Sequence, residues 1–129
     1  MKNNLILAAL FVFANIIVNN ILLAEEFKLE SLKLDILNNG NTIIAYDGNA
    51  ILEEKNLKIN ATKLEYDKKK SILVANNGVA EFLLRNLTIS ANKLYYNEIT
   101  STLEATGNVK IQDSTKNVTI LSENIVFDI

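Results

Sequence analysis

The sequence predicts an all-β fold assembled from a unit of about 30 residues. Three observations carry this. The segment opening at Leu57, LKINATKLEYDKKKSILVANNGV, returns at Leu87 as LTISANKLYYNEITSTLEATGNV and starts again at Val118 as VTILSENIVFD. The offsets are 87 − 57 = 30 and 118 − 87 = 31 residues. Within each copy apolar and polar residues alternate with a period of two, the mark of a half-buried strand. No stretch after residue 24 holds a 3.6-residue apolar stripe.

The unit extends upstream. Subtracting 30 from Leu57, Ile59, Leu64, Tyr66, Leu73, Ala75 and Gly78 reaches Phe27, Leu29, Leu34, Ile36, Ile43, Ala45 and Gly48. All are apolar except the glycine, so the repeat runs from about Phe27 to Ile129.

The elements follow in order. Residues 1–24 stand apart: Lys2 is a positive n-region, Leu5 to Val18 is an apolar run broken by Asn15, and Leu22-Leu23-Ala24 precedes Glu25-Glu26. This reads as a secretory signal cleaved near Ala24, with an uncleaved anchor helix as the alternative. Residues 25–129 are one domain with a modest core. EEFKLESLKLDIL is rich in helix formers, yet its Phe27, Leu29 and Leu34 fall on strand positions of the repeat, so it is expected to be a strand. In LKINA, Leu57, Ile59 and Ala61 share a face; in KLEYD, Leu64 and Tyr66 do. The step from Ala61 to Leu64 is three residues, which calls for a bend at Thr62-Lys63. The same break separates Ala91 from Leu94 and Ser122 from Ile125. DKKKS reads as a turn, and SILVA as a second strand. Asn76-Asn77-Gly78, Thr106-Gly107-Asn108 and Asp47-Gly48-Asn49 are then expected to reverse the chain, because these residues tolerate positive φ. The runs behind them (AILEE, VAEFLLR, VKIQD) become third strands, and Phe82-Leu83-Leu84 leaves the inward side of that strand open. Each unit is thus three short strands, about ten in all. SENIVFDI ends as a strand with no polar cap, which points to end-to-end pairing with another β-protein or to a longer chain.

Composition excludes several functions. There is no cysteine, histidine or proline. Disulfides, thiolate or imidazole metal sites, cysteine nucleophiles and histidine general bases are therefore out. No cofactor and no metal are expected. Residues 25–129 carry 12 basic and 15 acidic residues, 12 − 15 = −3, and Lys68-Lys69-Lys70 is the only run of like charge. That is no nucleic-acid footprint. Glu25-Glu26 and Glu53-Glu54 are weak catalytic pairs, since neighbours on a strand point to opposite faces. Asp67 and Asn97 read as turn formers, and Tyr66 and Tyr96 as core or rim aromatics. Asn60, Asn86 and Asn117 open N-x-T sequons, but Asn86 and Asn117 recur at one repeat position and read as structural echoes.

The pattern I-x-A-x-K-L-x-Y-(D/N) followed by L-x-A-x-G-x-V, present as INATKLEYD with LVANNGV, as ISANKLYYN with LEATGNV, and more loosely as ILSENIVFD, resembles the OstA-like family of lipopolysaccharide transport. That family holds the periplasmic bridge protein LptA, the periplasmic N-terminal domain of the translocon LptD and the more distant LptC. The resemblance covers most of residues 25–129. It implies an open, twisted β-jellyroll whose apolar interior shields the acyl chains of lipopolysaccharide. It also implies a periplasmic location, no catalysis, and head-to-tail edge-strand stacking on other OstA-like domains or on copies of itself. The lining carried over is Ile59, Ala61, Leu64, Tyr66, Leu73, Ala75 and Val79, with the copies Ile89, Ala91, Leu94, Tyr96, Leu103, Ala105 and Val109. The last copy stops before its Gly-x-Val segment, which leaves open an LptA-type protein or the front of an LptD-type chain. Beside this stand a structural β-repeat module whose stripe is a dry core and, lowest, a secreted enzyme.

Overall fold

The computed structural model describes residues 27–129; the expected signal segment lies outside them. Seven strands follow one another: β1 (Lys28–Leu37), β2 (Thr42–Leu52), β3 (Leu57–Asp67), β4 (Ile72–Phe82), β5 (Leu87–Asn97), β6 (Thr102–Asp113) and β7 (Val118–Asp128). They form one antiparallel sheet in the order β1-β2-β3-β4-β5-β6-β7. Single 3-10 turns at Asn38–Gly40 and Glu53–Lys55 are the only helical elements among the described residues. The segment rich in helix formers is strand β1, as its place in the repeat requires.

The strands are longer and fewer than the expected three per unit. The unit is two strands. Asn76-Asn77-Gly78 does not reverse the chain; it lies inside β4, as Asp47-Gly48 lies inside β2 and Gly107-Asn108 inside β6. The expected third strands are the second halves of those same strands. Phe82 closes β4 and is buried, while Leu83 and Leu84 stand exposed in the next turn.

Real reversals occur about every 15 residues. Asn56, Ser71, Asn86, Ser101 and Asn117, each one residue ahead of a strand, have φ between 50° and 55°. Asparagine suits this left-handed region because its short side chain compensates locally. Where β3, β5 and β6 end in aspartate or asparagine, that side chain holds the turn. Asp67 Oδ1 accepts from the Lys70 amide at 3.1 Å, Asn97 Oδ1 from Ile99 at 2.9 Å, and Asp113 Oδ1 from Thr115 at 3.0 Å. Each turn also hangs from the turn before it on the same side of the molecule: the amides of Lys68, Leu83 and Glu98 donate to the carbonyls of Asn41, Asn56 and Ser71 at 2.9–3.0 Å.

The sheet folds over on itself. Phe82 pairs with Leu87 at one end of the strands, and Phe127 pairs with Leu103 at the other. On a flat sheet those ends lie about 30 Å apart, at ~3.3 Å per residue. The two rings nevertheless sit with centroids 5.1 Å apart. Phe27, ahead of β1, likewise reaches Tyr66 at 6.0 Å and Tyr96 at 5.3 Å. One half of every strand therefore covers the other half of the sheet, an open jellyroll of two layers.

The fold line is the corner expected at Thr62-Lys63. It crosses the whole sheet. On β2, β4 and β6 it is made by Asp47, Asn77 and Asn108, with φ of 47–50°. On β3 and β5 the paired residues skip a step without leaving register, Ala61 opposite Gly78 and Lys63 opposite Asn76. β6 carries one extra residue here, a bulge where Gly107 takes φ 80°. A Cβ on Gly107 would sit 2.7 Å from Asn92 Nδ2, so conformation and space both demand glycine. Because only even strands use the left-handed residue, the sequence repeats at two strands rather than one.

Candidate functional site

The inward face is ordered in rows, read across the sheet from strand to strand. Behind the corner runs Leu34-Ala45-Leu64-Ala75-Leu94-Ala105-Ile125. Ahead of it runs Leu29-Ala50-Ile59-Ala80-Ile89-Ile111-Ile120. Through most of both rows odd strands supply large side chains and even strands supply alanine. The corner itself is lined by the small residues Gly48, Ala61, Gly78 and Ala91. Large groups of one layer can thus settle over alanines of the other, which is how a folded sheet fills its interior. An outer row, Ile36-Ile43-Tyr66-Leu73-Tyr96-Leu103-Phe127, completes the floor.

Thirteen of the fourteen residues carried over from the motif are buried in this interior, from Ile59 and Leu64 on β3 to Leu103, Ala105 and Val109 on β6. Val79 is not. It sits half-exposed on the outer face between Asn60 and Ser90, and Ala80 takes the inward place. The bulge explains the error. The extra residue of β6 shifts the phase, so Val109 turns inward where its sequence counterpart Val79 turns out.

The interior is closed in the middle and open at both edges. Leu64 and Leu94 are 0–1% exposed, whereas Leu34 at the head of the same row is 47% exposed. Ile36 on β1 and Val118 and Ile120 on β7 are also exposed. Leu34 and Ile36 are repeat positions and Val118 opens the last copy, yet none of the four is among the fourteen lining residues carried over from the motif. The signal was there: the first and last copies of a cross-strand stripe have a neighbour on one side only.

The outer face and turns carry the charge. The pairs Lys28–Glu30 at 3.4 Å and Lys33–Asp35 at 4.0 Å are solvent-exposed and contribute little. Asp67 has its carboxyl held below the ordinary 3.8, first by the Lys70 amide and then by Asn41 Nδ2 and the Lys70 charge. Among the described residues no group of three acidic residues could hold a metal ion, and no helix is long and apolar enough to cross a membrane. Among the described residues the geometry offers an apolar, shaped interior with two open rims and no group of acidic residues placed to hold a metal ion.

Comparison with known proteins adds the fold. No family model matches the sequence, and no curated protein matches it. The structure is similar to that of LptH from Pseudomonas aeruginosa, the LptA-homologous periplasmic component of the conserved lipopolysaccharide transport device. The TM-score is 0.68, over 81% of this chain and 76% of that one, at 11% identity. At that identity the likeness establishes a shared fold, the β-jellyroll.

Proposed function

We propose that this chain is an OstA-like, non-catalytic periplasmic carrier that shields the acyl chains of lipopolysaccharide and passes them along a bridge of stacked domains. The observation that carries this reading is the exposure pattern of the interior rows. The row that is sealed from Ala45 on β2 to Ala105 on β6 opens at Leu34 on β1, and the row ahead of the corner ends at the exposed Ile120 on β7, so the apolar interior has two mouths. The motif of the repeat, and a fold shared with a component of a lipopolysaccharide transport device, support it. Residues 1–24 act as the export signal, and 25–129 form the carrier domain.

The physics suits the task. Each CH₂ removed from water is worth about 0.8 kcal/mol, so an acyl chain needs continuous cover in transit. Rows of similar aliphatic groups offer many near-equal sites and no deep trap. Stacking would join β7 of one domain to β1 of the next, a bridge of copies or of related jellyrolls, and would pair the free edge strands.

A second reading has an observation of its own. Ala45, Ala50, Ala75, Ala80 and Ala105 are 0–1% exposed beneath their large neighbours, as in the dry core of a structural module. For a chain to enter, the two layers must part along the corner.

Photo-crosslinkers at Ile59, Leu73 and Leu94, with Ile36 and Ile120 at the mouths, decide between them. Capture of lipopolysaccharide at all five supports carriage. Crosslinks to protein alone, with no lipid extracted from the purified protein, would leave the dry module.

A further inference from the structure

The repeat itself shows where this protein departs from its own pattern. At the end of β6 the inward row reads Leu57-Phe82-Leu87-Asp113-Val118. Asp113 stands where the preceding unit has the buried Phe82. One residue away, on the outer face, Lys58 and Glu81 of the preceding unit are replaced by Thr88 and Gln112, with Thr119 opposite. On the outer face a long lysine and a glutamate have given way to short neutral polar groups, and on the inner face an aromatic ring has given way to a carboxylate. At this end of the strands lies an open cavity of about 230 Å³ lined by Asn86, Thr88, Gln112, Asp113, Ser114, Asn117, Val118 and Thr119. At the liquid share of ~30 Å³ per molecule it has room for about seven waters, on the scale of one sugar ring.

The chemistry of the wall narrows the occupant. Asp113 Oδ1 is engaged by the amides of Thr115 and Lys116, Asn86 Nδ2 by Thr115 Oγ1, and Ser114 Oγ by the Asn86 carbonyl. These contacts fix the turn. The hydroxyls of Thr88 and Thr119 and the amides of Gln112 and Asn117 remain, both donors and acceptors. Thr88, Gln112 and Thr119 lie directly across three adjacent strands, so their polar ends are spaced at ~4.8 Å. No cation lines the wall, which argues against phosphate. Its one carboxylate is already hydrogen-bonded twice, which argues against a metal ion. An array of neutral donors and acceptors fits a polyhydroxyl ring.

We infer that this cavity binds a saccharide ring, held by Thr88, Gln112, Asn117 and Thr119. It adjoins the mouth at Val118 and Ile120, so a sugar attached to a lipid could lie here while its acyl part enters the interior. Titration of the isotope-labelled full chain with N-acetylglucosamine, followed by amide chemical shifts, tests it. Saturable shifts at these four residues are expected. Gln112→Leu and Thr88→Val should each weaken binding about tenfold, or 1.4 kcal/mol, with the rest of the spectrum unchanged. Glycerol, lacking the ring, should not saturate. No saturable shift, or equal affinity in both variants, overturns the proposal. Lipopolysaccharide added to the sugar-bound protein then names the source: displacement assigns a lipid headgroup, persistence a free saccharide. Crosslinking in the interior is a separate readout, so either result can fail without the other.

Discussion

Asp67 joins two turns on one side of the molecule. Its Oδ1 accepts from the Lys70 amide at 3.1 Å and from Asn41 Nδ2 at 3.2 Å, while Asn41 Oδ1 accepts from the Lys69 amide at 2.9 Å. The ionised form is favoured in the fold, so its acidity is raised above that of the unfolded chain. The sign of the pH dependence follows. The contribution is present above the ordinary 3.8 and is lost as pH falls through the lower folded value. Asp67→Asn should therefore lose stability against the parent at pH 7, and the gap should close as the pH falls below the lowered folded value; denaturant midpoints across an acid pH series measure it. Two glycines offer a matched comparison. Gly40 has φ 87° and nothing within 4 Å of a would-be Cβ, whereas Gly107 has φ 80° and meets Asn92 at 2.7 Å. Gly40→Ala should cost only the left-handed strain, about 1 kcal/mol. Gly107→Ala adds a steric part and should cost about 2–3 kcal/mol, some of it recovered when Asn92 is also cut to alanine. Equal losses in urea melts would mean the bulge is not crowded.

Among elements, depth in the row sets the value of a side chain. Leu64→Ala on β3 removes a fully buried group and should cost about 2–5 kcal/mol. Leu34→Ala on β1, in the same row but half in water, should cost under about 1 kcal/mol. Denaturant unfolding measures both, and a similar loss at the two sites would mean the β1 mouth is shut. The alternation that places these leucines was legible from the sequence, as was the bend after Ala61. The strand count was not. Asparagine and glycine tolerate positive φ both in a reversal and in an in-line corner, so composition alone could not separate the two. Spacing could have: Ala75 to Gly78 is a step of three, the mirror of Ala61 to Leu64 on the strand paired with it. Two paired strands that break phase at the same level bend together and do not end there. Val79 was misplaced for a related reason. Its counterpart Val109 follows a bulge, and an extra residue inverts which side faces in. The cavity beside Gln112 was hidden because its wall departs from the repeat, with Thr88 and Gln112 where the preceding unit has Lys58 and Glu81.

For the whole molecule the number of strands fixes how domains can join. In an antiparallel meander neighbours alternate in direction, so with seven strands β1 and β7 run the same way. A β7-to-β1 junction that continues the interior is then a parallel pairing, and it extends the rows: Ile125 beside Leu34 of the next copy, Phe127 beside Ile36. The two alternatives, β1 to β1 and β7 to β7, are two-fold and antiparallel, and they would turn the mouths against each other rather than run one interior into the next. The sequence has no cysteine, so engineered thiols report on this without background. Leu34→Cys mixed with Ile125→Cys should give a mixed disulfide under mild oxidation, and a chain carrying both substitutions should give a ladder of oligomers. Cysteines on paired strands lie within bridging reach, with Cα atoms about 4.4–6.8 Å apart. If each single variant instead forms only its own symmetric dimer and the mixture gives no mixed product, the domains meet back to back, and a continuous apolar path between them is ruled out. Adding Ile120→Lys to the double-cysteine chain should remove the ladder while leaving the fold intact, because a charge at the half-exposed mouth costs little in the single domain but must be buried in the junction.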